Sequence, residues 1–166
     1  MQKIKLPTLF VIFVFMTGCV SLPPPYVGPP PNLSSPQSSA DELEKFTFAQ
    51  RASFSDIYSV KMGPANDMYS MASLKPIVAE VSPEGLKKIN WAQTIPYYNF
   101  ALIGIATIVG FSNINSRTNQ AYFYGLLGLS VGLSFYTRSV YQDGINDYNR
   151  DLQKKLSPTV TWNKNF

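Results

Sequence analysis

The sequence predicts a mainly α protein: short helices, a hydrophobic helical hairpin and a C-terminal amphipathic helix, all following a disordered Pro-rich tether. Three observations predict it. Residues 97–111 (YYNFALIGIATIVGF) and 121–136 (AYFYGLLGLSVGLSFY) are charge-free apolar stretches joined by a short polar connection. Residues 139–156 place apolar side chains at helical spacing opposite charged ones. Val20 to Ala40 holds seven prolines and a cluster of serines, a composition that builds no core. At 166 residues the chain is long enough for one small domain, or for a membrane-attached hairpin with flanking segments.

The leader is read first. Lys3 and Lys5 form a basic start, Leu9 to Met16 is unbroken apolar sequence, and Thr17 and Gly18 are small residues in front of Cys19. That order is a secretory signal peptide over residues 1–18, with a small-residue cleavage site. The apolar run is far short of the ~20 residues that a spanning helix requires. Met16-Thr17-Gly18-Cys19 resembles the lipobox of bacterial lipoproteins, with Met where the family prefers Leu. The resemblance implies that Met16, Thr17 and Gly18 are read by the signal peptidase. It also implies that Cys19 carries a covalent diacylglycerol and an N-acyl chain, and that no other cofactor is needed. Acyl chains contribute ~0.8 kcal/mol per buried methylene, so two or three of them hold a protein on a bilayer durably.

Residues 19–40 are then a lipidated tether. Pro23-Pro24-Pro25 and Pro29-Pro30-Pro31 favour polyproline II. About twenty such residues at ~3.1 Å each extend roughly 60 Å. Residues 41–96 form a helical periplasmic segment. Asp41 and Glu44 make a capping-box start, and Leu43, Phe46, Phe54, Ile57 and Tyr58 line one helical face up to Met62-Gly63-Pro64. Met68, Met71 and Leu74 suggest a short helix ending before Pro76. Ser82-Pro83-Glu84 opens another that carries Leu86 and Ile89 and finishes near Pro96.

Residues 97–136 read as a hydrophobic transmembrane hairpin. Each arm would be roughly 22–25 Å long, slightly short for a ~30 Å hydrocarbon core. Trp91, Tyr97, Tyr98, Tyr136 and Tyr141 gather at one end as membrane-interface aromatics, with Phe111, Tyr122 and Tyr124 at the other. Gly125, Gly128 and Gly132 supply small residues for close packing within the hairpin. Two alternatives compete: the buried centre of a soluble helical domain, and a β-strand drawn from the Leu127-to-Phe135 alternation.

Residues 137–166 are the amphipathic helix and tail. Tyr141, Ile145, Tyr148, Leu152 and Leu156 share one face, with Asp143, Asp147, Arg150 and Asp151 opposite as a solvated face. The glycine-bearing hydrophobic pair followed by Tyr148-Asn149 loosely resembles small uncharacterised bacterial membrane proteins and lipoproteins; that resemblance implies a topology and no activity.

Composition narrows function by exclusion. One cysteine and no histidine remove Cys–His and Ser–His–Asp catalysis and the common zinc sites. Lys87-Lys88 and Lys154-Lys155 are too sparse for a nucleic-acid footprint. Charged residues are only 14% of the chain, and Arg117 alone interrupts the charge-free run between Lys88 and Arg138. The expected function is that of a non-enzymatic cell-envelope lipoprotein, a structural or assembly subunit of a membrane-associated complex. Its expected partners are the lipid bilayer, other envelope proteins and further copies of itself. A second reading is a subunit of an oligomeric pore or transporter built from such hairpins, although neither apolar stretch holds an ionisable group. Val20 and Ser21 lack the acidic residue that the lipoprotein resemblance associates with inner-membrane retention, which favours the outer membrane. Spanning helices favour the inner one.

Overall fold

The computed structural model describes residues 23–33, 39–49, 56–112 and 116–156. Its elements are helix α1 (Ser39–Phe46), a 3-10 turn (Asp56–Tyr58), strands β1 (Ser59–Met62) and β2 (Asp67–Ser70), and helices α2 (Met71–Val81), α3 (Pro83–Ser112) and α4 (Arg117–Leu156). The fold is mainly α, as the sequence predicts. The long helices α3 and α4 run antiparallel. Their chain-end halves, 83–95 and 137–156, are packed into a base with α1, α2 and the hairpin β1–β2, while their middle sections project beyond it as an arm.

The base has a conventional apolar core. Tyr141, Ile145, Tyr148, Leu152 and Leu156, the face expected from periodicity, are all buried in it, alongside Leu74, Val78, Val81 and Ile89. The Tyr148 ring stacks on Phe48 with centroids 4.1 Å apart. Where α3 crosses α4, backbone meets backbone. A Cβ on Gly144 would lie 3.0 Å from the Gly85 carbonyl oxygen, and one on Gly85 would lie 2.9 Å from that of Gly144. Gly144, a weak point in a helix taken alone, is what lets the two helices touch.

Several local expectations are corrected. The helix expected through Tyr58 stops at Phe46. Phe48 pairs instead with Met62 beside β1, and the Ala49 N–H donates to the Lys61 carbonyl. The other edge of this short strand is held by a side chain: Asn149 accepts from the Phe48 N–H at 2.9 Å and donates to its carbonyl at 2.8 Å. Gly63 (φ 74°) and Asn66 (φ 54°) form the turn of β1–β2 in the left-handed region that Gly and Asn tolerate best. Met68 therefore lies on a strand, and α2 begins at Met71 and runs through Pro76. Nor does Pro96 end α3, which continues to Ser112. One missing helix bond is outweighed by the packing of α3 along α4. The division expected between the hairpin (97–136) and a separate amphipathic helix (137–166) is likewise not seen, because α4 is a single 40-residue helix. The β alternative for 127–135 falls with it.

The disordered-tether expectation is also corrected over 23–33. Here the chain forms a strap docked on the base. The Ser70 N–H donates to the Pro24 carbonyl at 2.9 Å, and the Tyr26 N–H donates to Ser73 Oγ at 2.8 Å. The Tyr26 ring meets Phe46 and Tyr69 edge-on. Proline triplets cost little entropy to order, so a few such contacts suffice to lay the strap down. Cys19, Met16, Thr17, Gly18 and Phe54 lie outside the described residues.

Candidate functional site

The part of the molecule that a soluble fold does not explain is the arm, residues 97–136. Between its root and its tip its outward sides are apolar, and at the tip Arg117, Thr118 and Gln120 are exposed. On α3 the exposed large residues are Tyr97, Tyr98, Phe100, Ile105 and Ile108, the last 71% exposed. On α4 they are Tyr122, Tyr124, Leu129, Val131, Phe135 and Tyr136, with Leu129 at 60%. At 100° per residue these positions sweep roughly 160° of α3 and roughly 180° of α4. A core-facing stripe occupies a single narrower face.

Between the helices of the arm, small and polar side chains lie among half-buried apolar ones, including Leu102, Ile103, Phe123, Leu126 and Leu133. Ala106 and Ser130 are buried between the helices. The Asn99 side-chain amide donates to Ser134 Oγ at 3.0 Å, across the helix pair. Ser134 donates to the Ser130 carbonyl, Thr107 to that of Ile103 and Thr137 to that of Leu133, so these hydroxyls are satisfied by their own helices. Asn99 Oδ1 is the one buried arm oxygen without a partner among the described residues. At the tip the polar groups bond one another: the Asn119 amide donates to Ser112 Oγ, and Ser116 receives the N–H groups of Asn119 and Gln120. The arm thus carries hydrogen-bonding side chains between its helices while leaving large apolar ones exposed along its outward sides, which is costly in water.

The predicted site residues separate on this geometry. Trp91, Tyr97, Tyr98 and Tyr136 are exposed together at the arm's root, and the Trp91 and Tyr98 rings are 6.2 Å apart. Tyr141 does not join them. It is 1% exposed and its hydroxyl donates to the Ser59 carbonyl at 3.0 Å, so it is a core residue. Tyr58, which the sequence reading placed on a helix face, takes a place in this ring instead. It is 43% exposed, and its hydroxyl pKa is raised by burial and by the neighbouring Tyr97.

The glycine expectation is corrected as well. A Cβ on Gly125, Gly128 or Gly132 would meet nothing within 4 Å, so these residues lie on the outward side of α4 and do not pack the hairpin. The close contact within the arm is made by Gly110, whose added Cβ would be 2.9 Å from the Phe123 ring. Its i, i+6 relation to Gly104 gave no periodic signal.

The carboxylates of α4 serve the base. Asp147, expected on a solvated face, is 8% exposed and bridges Lys88 and Arg150. That hydrogen bond raises the Lys88 pKa. Asp151 accepts from Ser82 Oγ at 2.6 Å, and this bond, with Arg150 and Lys154 nearby, lowers its pKa against the opposing effect of burial. Among the described residues no group of three or more His, Cys, Asp or Glu could hold a metal ion. The transmembrane expectation for 97–136 is corrected too: among the described residues no helix is long and apolar enough to cross a membrane. Compared with protein-family models, curated proteins and solved structures, the chain gives no match.

Proposed function

We propose that the protein is a non-enzymatic cell-envelope lipoprotein, held by acyl chains on Cys19, that acts as a structural or assembly subunit of a membrane-associated complex. The observation that carries this reading is the arm's exposed apolar exterior. An exterior of Ile, Leu, Phe and Tyr on all outward sides is costly in water at ~25 cal/mol per Å² of apolar surface. It is stable where the surroundings are apolar, and a membrane-associated assembly provides such surroundings. The lipobox-like Met16-Thr17-Gly18-Cys19 supplies an independent reason for the chain to be at a membrane. The hydrogen-bonded base then presents the arm in a fixed direction.

The test has two readouts on the protein expressed in a bacterial host. Mass spectrometry of the mature N-terminus should find Cys19 as the first residue, carrying a diacylglycerol. Fractionation should place the protein in the membrane pellet, co-migrating with other envelope proteins after mild detergent extraction. A soluble, unacylated chain migrating as a monomer would reject the proposal.

A further inference from the structure

We propose that the bilayer carrying the Cys19 acyl chains is also the occupant of the arm's apolar exterior, entered through one defined docking face of the base. This rests on the lipoprotein reading above and adds to it the contact surface and its orientation.

Two observations place both attachments on one face. The strap delivers Pro24 to Ser70, and Ser70 pairs with Ser59, the first residue of β1. Ser59 follows Ile57 and Tyr58, and the Ile57 carbonyl accepts from the Gln93 side-chain amide of α3 at 2.7 Å, one turn before Tyr97 at the arm's root. The first docked residues of the strap therefore lie at the root end of the base, away from the α2–α3 corner at Ser82. Only five peptide steps separate Cys19 from Pro24, which fully extended reach about 17 Å. The link from lipid to base is short, and it ends beside the arm.

The occupant follows from the shape of the apolar surface. A second protein would cover one side of the arm, whereas the exposed residues occupy all outward sides of both helices. Hydrocarbon covers all of them together. Tyr58, Trp91, Tyr97, Tyr98 and Tyr136 form the aromatic ring at the root, where amphipathic side chains settle at headgroup level. The 16 residues from Tyr97 to Ser112 extend roughly 24 Å beyond it.

The test uses full-length lipidated protein in phosphatidylethanolamine–phosphatidylglycerol vesicles containing lipids brominated either near the headgroup or deep in the acyl chain. Trp162→Phe leaves Trp91 as the single indole. Trp91→Phe/Trp162→Phe combined with Leu129→Trp, or separately with Ile108→Trp, moves the indole onto the arm at positions that pack against nothing in the base. Trp91 should be quenched more strongly by shallow bromines. The indoles at 108 and 129 should be quenched about twofold more strongly by deep ones. If the protein floats with the vesicles but neither arm indole is quenched, the arm is covered by protein and the inference is overturned. Cross-linking between copies at position 129 in that case would assign the arm to a second copy. Failure to float at all would instead reject the lipoprotein reading.

Discussion

At the scale of single residues, the base depends on side chains that do backbone work. Asn149 completes the outer edge of the short strand at Phe48 with two hydrogen bonds, at 2.9 and 2.8 Å. Asn149→Ala should remove both and leave partly buried backbone groups unpaired, a loss of about 2 kcal/mol in a urea titration. Asn149→Asp should not rescue it, because the carboxylate retains an acceptor for the Phe48 N–H but turns a second acceptor toward the Phe48 carbonyl. Asp151 gives the base a pH dependence of known sign. Its folded pKa lies below the unfolded value, so its interactions with Ser82, Arg150 and Lys154 stabilise the fold at neutral pH. That contribution should be lost as pH falls through the ordinary aspartate range toward the depressed folded pKa. The difference in urea midpoint between wild type and Asp151→Asn should therefore be largest near neutrality and shrink on acidification. A difference that grew toward acid would contradict the Ser82–Asp151 assignment.

At the scale of elements, the glycines divide into two groups that mutation should separate. Gly144→Ala pushes a methyl to within 2.9 Å of Ile89 Cγ1 and 3.0 Å of the Gly85 carbonyl. Overpacking of this kind costs about 1–3 kcal/mol, more than the ~1 kcal/mol that alanine gains in helix propensity. The helical signal of the detergent-solubilised protein should melt earlier. Gly125→Ala and Gly128→Ala meet open space and should leave the melt unchanged or raise it. Equal destabilisation at all three positions would mean that the outward glycines are packed after all. The same contrast shows what the sequence could and could not reveal. Apolar period and charge depletion were enough to place the α3–α4 hairpin and the buried face from Tyr141 to Leu156, since both are local patterns. The Gly85–Gly144 crossing was hidden, because nothing local distinguishes a glycine that meets another helix from one that faces outward. The extended pairing at Phe48 reads locally as helix for a similar reason: its partners, Met62 and Asn149, are 14 and 101 residues away. Four of the five root aromatics expected from sequence were found there, and Tyr141 was lost because its spacing fits the core face equally well.

At the scale of the whole molecule, the proposed lipid anchor and the proposed bilayer contact of the arm would be two attachments to one membrane, each individually dispensable. Under that proposal the acyl chains and the arm would draw on the same hydrophobic free energy, and the strap docks beside the root of the arm. A charge in the middle of the arm opposes embedding by about 2.5–3.5 kcal/mol, on the order of a hundredfold in partition. Ile108→Asp with Leu129→Asp alters exposed positions and should leave the base folded. Lipidated protein carrying both changes should still sediment with membranes, held by Cys19 alone. A Cys19→Ala chain, exported behind a cleavable leader that directs no lipidation, should also resist carbonate extraction, held by its arm. Combining all three changes should release a folded protein into the soluble fraction, with its helical signal and protease resistance retained. Loss of attachment in Cys19→Ala alone would show that the arm does not enter the bilayer. Retention of the triple variant would point to a protein partner gripping the base, and the exposed apolar arm would then need a different explanation.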